Sequence, residues 1–410
     1  MPDNAAFSRE KLAGYEPERM AASVALVVGV GALGQNVAQN LALSGIGELR
    51  LVDKDQFEDH NRTRSPAYPF PEEQSRYGLG KARVVANKLI RMTTANNARI
   101  RYADAWIQEL GDGAFKDVSV LVSCVDSPAA RAYLADKARL HGIPFAEGGF
   151  EGPNITLSCY PSVAPEEALT APCWRCSHQE SIGAFSCRFY AMQAEKAGFI
   201  PAIQNAAAAL GGLQSEAAIL ATHGQMPLAF CALDVNIRTG RTRLIHLATD
   251  PHCPGAHSSL RDQPIRKLTS SAQQTLKALL VELESLLGPG PIVTLPSPFI
   301  WTAPCTQTGK LSRVQSPDWL WMMNPRSTEA GGPYTIISDD TVNVSPEIYL
   351  DVSAQYTPAI LKSTCKQAGF AALSVVPAWN EATKKTSYFS LAGDIDDLFE
   401  NVTNENTTTI

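Results

Sequence analysis

The first residues that could do chemistry are three glycines and an aspartate. Gly29, Gly31 and Gly34 punctuate Val24-Ala-Leu-Val-Val-Gly-Val-Gly-Ala-Leu-Gly34 as G-x-G-x-x-G. Between an apolar run and a helix, such glycines let the backbone turn sharply and approach a phosphate, whose charge the helix N-terminus favours. Asp53 closes the next apolar run, Glu48-Leu-Arg-Leu-Val-Asp53, at the spacing where an acidic side chain binds ribose hydroxyls. These four residues imply a bound nucleotide. They leave its identity open, and alone they favour a nicotinamide dinucleotide.

Residues beyond Asp53 narrow the choice. Asp53-Lys-Asp55 is followed by Asn61-Arg-Thr-Arg64, by Lys81 in Gly78-Leu-Gly-Lys81, and by Asp126-Ser-Pro-Ala-Ala-Arg131. A guanidinium such as that of Arg64 forks onto phosphate oxygens, and a lysine such as Lys81 neutralises them as a point charge. A carboxylate such as Asp126 suits magnesium, whose shell substrate phosphates complete. Singly, each reads more readily as a solvated surface charge; the ordered set does not. This D-x-D, N-x-x-R, K and D-(N/S)-x-x-x-R series resembles the adenylating domain of the ubiquitin-activating-enzyme superfamily. Its bacterial ThiF/MoeB/HesA-like members include the activators of molybdopterin synthase and of the thiamine sulfur carrier. The resemblance covers roughly residues 5 to 257.

The resemblance implies an ATP-dependent adenylyltransferase, in which a carboxylate attacks the α-phosphate and pyrophosphate leaves. Asp53 would hold the ribose, Asn61, Arg64 and Lys81 the triphosphate, and Asp126 magnesium. Asp55 joins the same nucleotide set, with turn capping as its alternative; Arg62 has no assigned role. Arg9 corresponds to an arginine finger that reaches a partner's triphosphate across a homodimer, against the alternative of a solvated helix-start charge. Many family members carry a loop that crosses over the adenylate, with a cysteine that takes the acyl group. Cys187 is the candidate, and the adjacent Arg188 would lower its thiol pKa. A buried apolar cysteine is the competing reading. The alanine-rich helix of Pro201 to Gly224 would pack at the dimer interface, in the core, or in both.

Pro172-Cys173-Trp-Arg-Cys176 supplies one C-x-x-C, and the family pattern has a second where this chain has Cys253-Pro-Gly-Ala-His257. Cys173, Cys176, Cys253 and His257 would therefore form a tetrahedral zinc site, structural because all four positions are filled. His252 and His178 are rival fourth ligands, and a redox dithiol at Cys173 and Cys176 is the rival chemistry. Cys159 and Cys231 sit in apolar runs and read as core.

The implied substrate is the C-terminal carboxylate of a small ubiquitin-like or sulfur-carrier protein, with thioester formation to follow if Cys187 works. The alternative is a ribosomal precursor peptide adenylated during antibiotic maturation. A nicotinamide-dependent oxidoreductase is the third reading, disfavoured because its site has no use for a triphosphate clamp.

These side chains need a frame. Apolar runs at Val24–Val30, Glu48–Val52, Arg99–Asp104, Val118–Cys124 and Pro144–Glu147 read as strands. Helical patterns at Ala32–Ser44, Lys81–Thr94 and Pro128–His141 alternate with them. Alternation predicts an α/β fold, a Rossmann-like doubly wound sheet of the ThiF/MoeB adenylation type, with ligands beyond the carboxyl ends of its strands. At 410 residues the chain exceeds one hydrophobic core. The expected division is an adenylation domain with its zinc-bearing subdomain over 1–257, a small α+β domain over 258–400 for partner recognition, and a disordered tail over 401–410. In the second part Ser270 to Leu287 reads as an amphipathic helix, followed by strands at Ile292–Leu295, Tyr334–Ser338 and Ala371–Val376. The net charge of −6 gives no footprint for nucleic acid. No run is long enough to span a membrane and the first twenty residues do not resemble a signal peptide, so the expected location is cytoplasmic.

Overall fold

The computed structural model describes residues 7–93, 98–178, 202–226, 228–255, 257–304, 311–317, 348–355, 357 and 359–402. Two compact units emerge: Met1–Trp106 with Asp117–Asp262 and Phe399–Ile410, and Ile107–Lys116 with Gln263–Leu398.

The first unit opens with two short helices, α1 (Ser8–Leu12) and α2 (Pro17–Ala21). Then come β1 (Val24–Val28), α3 (Ala32–Leu43), β2 (Glu48–Val52), α4 (Pro71–Tyr77), α5 (Lys81–Leu89) and β3 (Arg99–Ala103). After the chain's excursion through α6 (Ile107–Leu110) it continues as β4 (Val120–Ser123), α7 (Pro128–His141), β5 (Phe145–Glu151) and β6 (Asn154–Tyr160). A short α8 (Trp174–Ser177), the long α9 (Gln204–Thr222), β7 (Cys231–Asn236) and β8 (Thr242–His246) follow. Its sheet has the order β15-β3-β2-β1-β4-β5-β6-β7-β8, where β15 is Glu400–Val402.

The strands β3, β2, β1, β4 and β5 are parallel, as the alternating pattern predicts, and the strand order reverses direction between β1 and β4. That reversal opens a crevice at the carboxyl ends, where a doubly wound sheet takes its ligand. Helices α3, α5 and α9 cover the sheet face that carries Val27, Leu49, Leu51, Val120 and Val122, and α7 packs on β4 and β5 from the other side. Helix α9 is a core helix here. A Cβ on its Gly211 would come within 2.7 Å of the Asn36 Cβ on α3, so glycine permits the close crossing.

The second unit contains α6, β9 (Ile265–Ser271), α10 (Leu276–Leu287), β10 (Pro291–Pro304), β11 (Leu311–Pro317), β12 (Ile348–Ser353), β13 (Val375–Asn380) and β14 (Ser387–Ala392). Its sheet runs β11-β10-β13-β14-β9, with β12 also paired to β10. Leu276, Leu279, Leu280 and Leu283 of α10 bury against Val293, Phe299, Phe370 and Phe389, an α+β core as expected.

Four details differ from the sequence reading. The helix placed at Ser270 starts at Leu276 with Thr275 as its cap, because Ser270 lies on β9 and is tied back to the helix by Glu282. The strand placed at Ala371–Val376 begins only at Val375. The units divide after Asp262, and Ile107–Lys116 belongs to the second, where Gly113 lies tight against the Ala372 carbonyl. Finally, Asn401 and Val402 are not a loose tail: with Glu400 they add an antiparallel strand to the free edge of β3, anchored by the buried Phe399. The strand expected at Tyr334–Ser338 and residues 403–410 lie outside the described residues.

Candidate nucleotide site and metal cluster

The glycine turn is built by exclusion of side chains. Gly29 follows β1 with φ +85°, and a Cβ there would lie 2.7 Å from the Cys124 carbonyl oxygen beyond β4. A Cβ on Gly34 would collide with the Gly29 carbonyl, so α3 can start hard against the turn. Gly31 caps α3 and faces open space, which leaves the backbone there approachable.

Asp53 ends β2 beside this turn. One carboxylate oxygen accepts the Val30 N–H at 2.7 Å and the other the Asp55 N–H at 2.8 Å. Each oxygen keeps a lone pair for a further donor, as ribose hydroxyls require. Burial pushes the Asp53 carboxyl above the ordinary range, against the pull of Lys81. Asp55 is held the other way. Burial raises it, but the hydrogen bond from Lys54 at 2.6 Å and the charge of Lys81 at 3.2 Å outweigh that and hold it low. Lys81 reaches Asp55 because Gln56 pairs with Gly80 in an isolated bridge and the Lys81 N–H donates to the Asp55 carbonyl.

Asn61 is buried, and its side-chain oxygen accepts the Glu58 N–H at 3.0 Å. Three residues on, the half-buried Arg64 guanidinium has no hydrogen-bond or ion-pair partner among the described residues. Asp126 is exposed beyond the end of β4, likewise unpartnered. An exposed carboxylate of this kind suits a magnesium ion carried in by a nucleotide. Its loop is pinned by Arg131, which donates to the Val125 carbonyl at 3.0 Å and pairs with the buried Glu147. The structure therefore bonds Asp53, Asp55 and Lys81 into one network that reaches the Gly29–Gly34 turn through Val30, flanked by the Asn61–Arg64 segment and the Asp126 loop. Arg9 is exposed on α1 and makes no hydrogen bond or ion pair with that network in this chain. Cys187 and Arg188 lie outside the described residues.

Residues that carry no charge pattern complete the frame. Gln35, buried on α3, donates to the Val30 carbonyl at 3.1 Å and accepts the Ala67 N–H at 2.9 Å, so it ties the glycine turn to the segment after Arg64. Gln214 on α9 donates to the Ser123 and Ala146 carbonyls at 2.8 and 3.1 Å. It also accepts the Cys124 thiol, whose burial pushes it far above the usual thiol range. No spacing rule would have found them.

At the other end of α7 the second constellation assembles. Cys173 Sγ lies 3.7 Å from Cys176 Sγ, 3.6 Å from Cys253 Sγ and 3.4 Å from His257 Nε2, and Cys176 Sγ lies 3.5 Å from the same nitrogen. A tetrahedral zinc with Zn–S near 2.3 Å and Zn–N near 2.05 Å has S···S edges of about 3.8 Å and S···N edges of about 3.5 Å. The donors fit that ion, and the sulfur spacing excludes a disulfide. Backbone N–H groups of Cys173 and Gly255 approach the Cys176 and Cys253 sulfurs at 3.4 and 3.3 Å. His178 is instead committed to the Trp174 carbonyl and stacks on that ring, and His252 is exposed, so His257 is the fourth donor. Cys159 and Cys231 are buried core residues, as expected.

The ThiF family profile matches residues 6–255. The chain belongs to the ThiF family. This ThiF-family chain is 31% identical over 191 residues to the adenylyltransferase and sulfurtransferase MOCS3 of Bos taurus, covering 43% of this chain and 39% of that one. It is 30% identical over 162 residues to the adenylyltransferase and sulfurtransferase uba4 of Aspergillus fumigatus, covering 38% and 31%. The chain thus spans about a third of the length of these curated relatives. Among solved structures, E. coli MccB with MccA-N7isoASN shares the fold at a TM-score of 0.50 and 17% identity, covering 63% of this chain and 76% of that one. No helix among the described residues is long and apolar enough to cross a membrane.

Proposed function

We propose that this ThiF-family chain uses ATP and magnesium to adenylate the C-terminal carboxylate of a small ubiquitin-like or sulfur-carrier protein. The observation that carries the reading is the Asp53 network at the end of β2 together with two charges of opposite sign that have no partner among the described residues, Arg64 in the segment after β2 and Asp126 beyond β4. A dinucleotide oxidoreductase would have no use for either. The adenylyltransferase names of the relatives support the same reaction class.

In the proposed step a carboxylate oxygen attacks the α-phosphorus of ATP, a P–O bond forms, and the bond to the β-phosphate bridge breaks with pyrophosphate as leaving group. The incoming carboxylate is already ionised, so no general base is required. Asp53 fixes the ribose with its spare lone pairs, while the glycine turn brings backbone N–H groups to the phosphates. Asn61, Arg64 and Lys81 hold the triphosphate and neutralise charge as pyrophosphate departs; Lys81 exchanges Asp55 for phosphate oxygens as it does so. Magnesium at Asp126 would add Lewis-acid stabilisation of the same oxygens. Arg9 of a second copy is the proposed finger, which makes the working form a homodimer. Cys187 is the proposed acyl acceptor: its thiolate attacks the acyl carbon and AMP leaves. Cys124 does not qualify, since burial keeps its thiol protonated.

ATP–pyrophosphate exchange tests the proposal. Exchange stimulated only by a carrier ending in glycine supports it, whereas exchange stimulated by a short precursor peptide transfers the function to peptide maturation. No exchange with any carboxylate, together with nicotinamide binding, refutes both.

A further inference from the structure

We propose that Arg139 is the counter-charge and clamp of the Cys173, Cys176, Cys253 and His257 metal site, a role that rests on the zinc reading of that cluster. Three thiolates, one neutral imidazole and one zinc ion carry a net charge of −1. Burying an unbalanced charge is costly, so a closed site of this composition needs a buried cation beside it.

Arg139 meets that need. It lies in the last turn of α7 and is 8% exposed. Its Nη2 donates to the Ala171 carbonyl at 3.2 Å and the Pro172 carbonyl at 2.6 Å, the two peptide oxygens that lead into Cys173. Its Nη1 is buried with no hydrogen-bond partner among the described residues. The guanidinium lines the same small cavity as Cys173 and lies within electrostatic reach of the Cys173, Cys176 and Cys253 sulfurs. A ligating histidine usually fixes itself by donating its other ring N–H to an acceptor, but His257 Nδ1 is buried without one among the described residues, so outer support falls to other groups. A second tie from the same helix, Asp136 to Arg175 at 2.9 Å, holds the residue between the first two cysteines. Helix α7 thus carries both the fork that aims Cys173 and the charge that balances the sulfurs. Among the described residues, the other ionisable groups near the cluster are Tyr160, Asp250 and the Asp136–Arg175 pair, and together they add no net positive charge.

The experiment uses the full chain. Zinc content by elemental analysis comes first, with one ion per chain expected; a parent without zinc removes the zinc reading and this role with it. Zinc affinity is then measured against a chromophoric chelator for the parent, Arg139→Met and Arg139→Lys. The Met variant keeps the stem but loses fork and charge, and its affinity should fall about 10- to 100-fold, the usual effect of losing an outer-shell partner. The Lys variant keeps the charge and should fall less. Parental affinity in both variants overturns the proposal, and so does a thermal shift in Arg139→Met that is the same in zinc-loaded and chelated protein, since that marks mere packing. If Arg139→Met is recovered unfolded, refolding under a zinc titration decides: rescue by excess zinc supports the role, and failure of rescue refutes it.

Discussion

The two ends of helix α7 stand beside constellations of opposite character. At its N-terminus the Asp126 loop is exposed, and Arg64 on the neighbouring segment has no partner among the described residues. At its C-terminus four donor atoms lie within 4.8 Å of one another, with backbone N–H groups directed at the sulfurs. The first arrangement is incomplete without something that brings phosphates and a cation. The second is complete once a single ion is present. On the proposed reading the first is a site that turns over and leaves charges for its substrate to pair, while the second holds the chain together by gathering its donors around one ion.

Two substitutions would break this contrast most sharply. Asp126→Ala should lower ATP–pyrophosphate exchange by at least about a hundredfold, because the metal's share of transition-state stabilisation is several kcal/mol. Since Asp126 is exposed and has no partner among the described residues, the melting temperature should hardly move. Retained exchange would mean that magnesium is held elsewhere. Cys253→Ser should do the reverse. Bound zinc and several kcal/mol of stability go with it, while exchange per folded chain is kept. A Cys253→Ser protein that melts normally yet no longer exchanges would show that the cluster serves the nucleotide end directly.

How far this was legible follows from the same contrast. Glycines, Asp53, Lys81 and the cysteines announce themselves because their chemistry is tied to residue type and spacing. The parallel sheet follows from alternating apolar runs, and the helical pattern over Pro128–His141 coincides with α7, which starts on a proline and stops at Gly142, φ +65°. Gln35 and Gln214 were invisible, since their partners are main-chain carbonyls and amides up to 91 residues away, and a neutral amide leaves no pattern. Three histidines were open as the fourth metal donor until the stacking of His178 on Trp174 removed one of them. The strand Glu400–Val402 was masked by its polar composition; it forms because β3 offers an unpaired edge and Phe399 a buried anchor.

Gln35 yields a subtler test of the nucleotide end. Replacing it by leucine keeps much of its volume but strands the Val30 carbonyl and the Ala67 N–H. A cost of about 1–3 kcal/mol in urea unfolding is expected. KM for ATP should rise more than kcat falls, because the glycine turn and the Arg64 segment lose their common tie. Equal damage to both constants would place Gln35 in transition-state stabilisation instead.

The smallest effect expected separates two carboxyls only two positions apart. Asp55 is lowered on folding, so its contribution to stability is present above the unfolded value of about 3.9 and vanishes as pH falls through the lower folded value. Asp53 is raised by burial and has the opposite sign: the folded chain favours its protonated form, a contribution present at low pH and lost as pH climbs through the folded value. Asp55→Asn should therefore lower the urea midpoint at pH 7, by no more than about 1 kcal/mol because Asp55 and Lys54 are 48% and 40% exposed. The gap to the parent should close only as pH falls below about 4, through the lowered folded value of Asp55. Saturating ATP should narrow it at pH 7 as well, since Lys81 then trades Asp55 for phosphate. A gap that widens toward acid would mean that Lys54 and Lys81 do not hold Asp55 ionised, and the proposed hand-over of Lys81 from carboxylate to phosphate would lose its starting point.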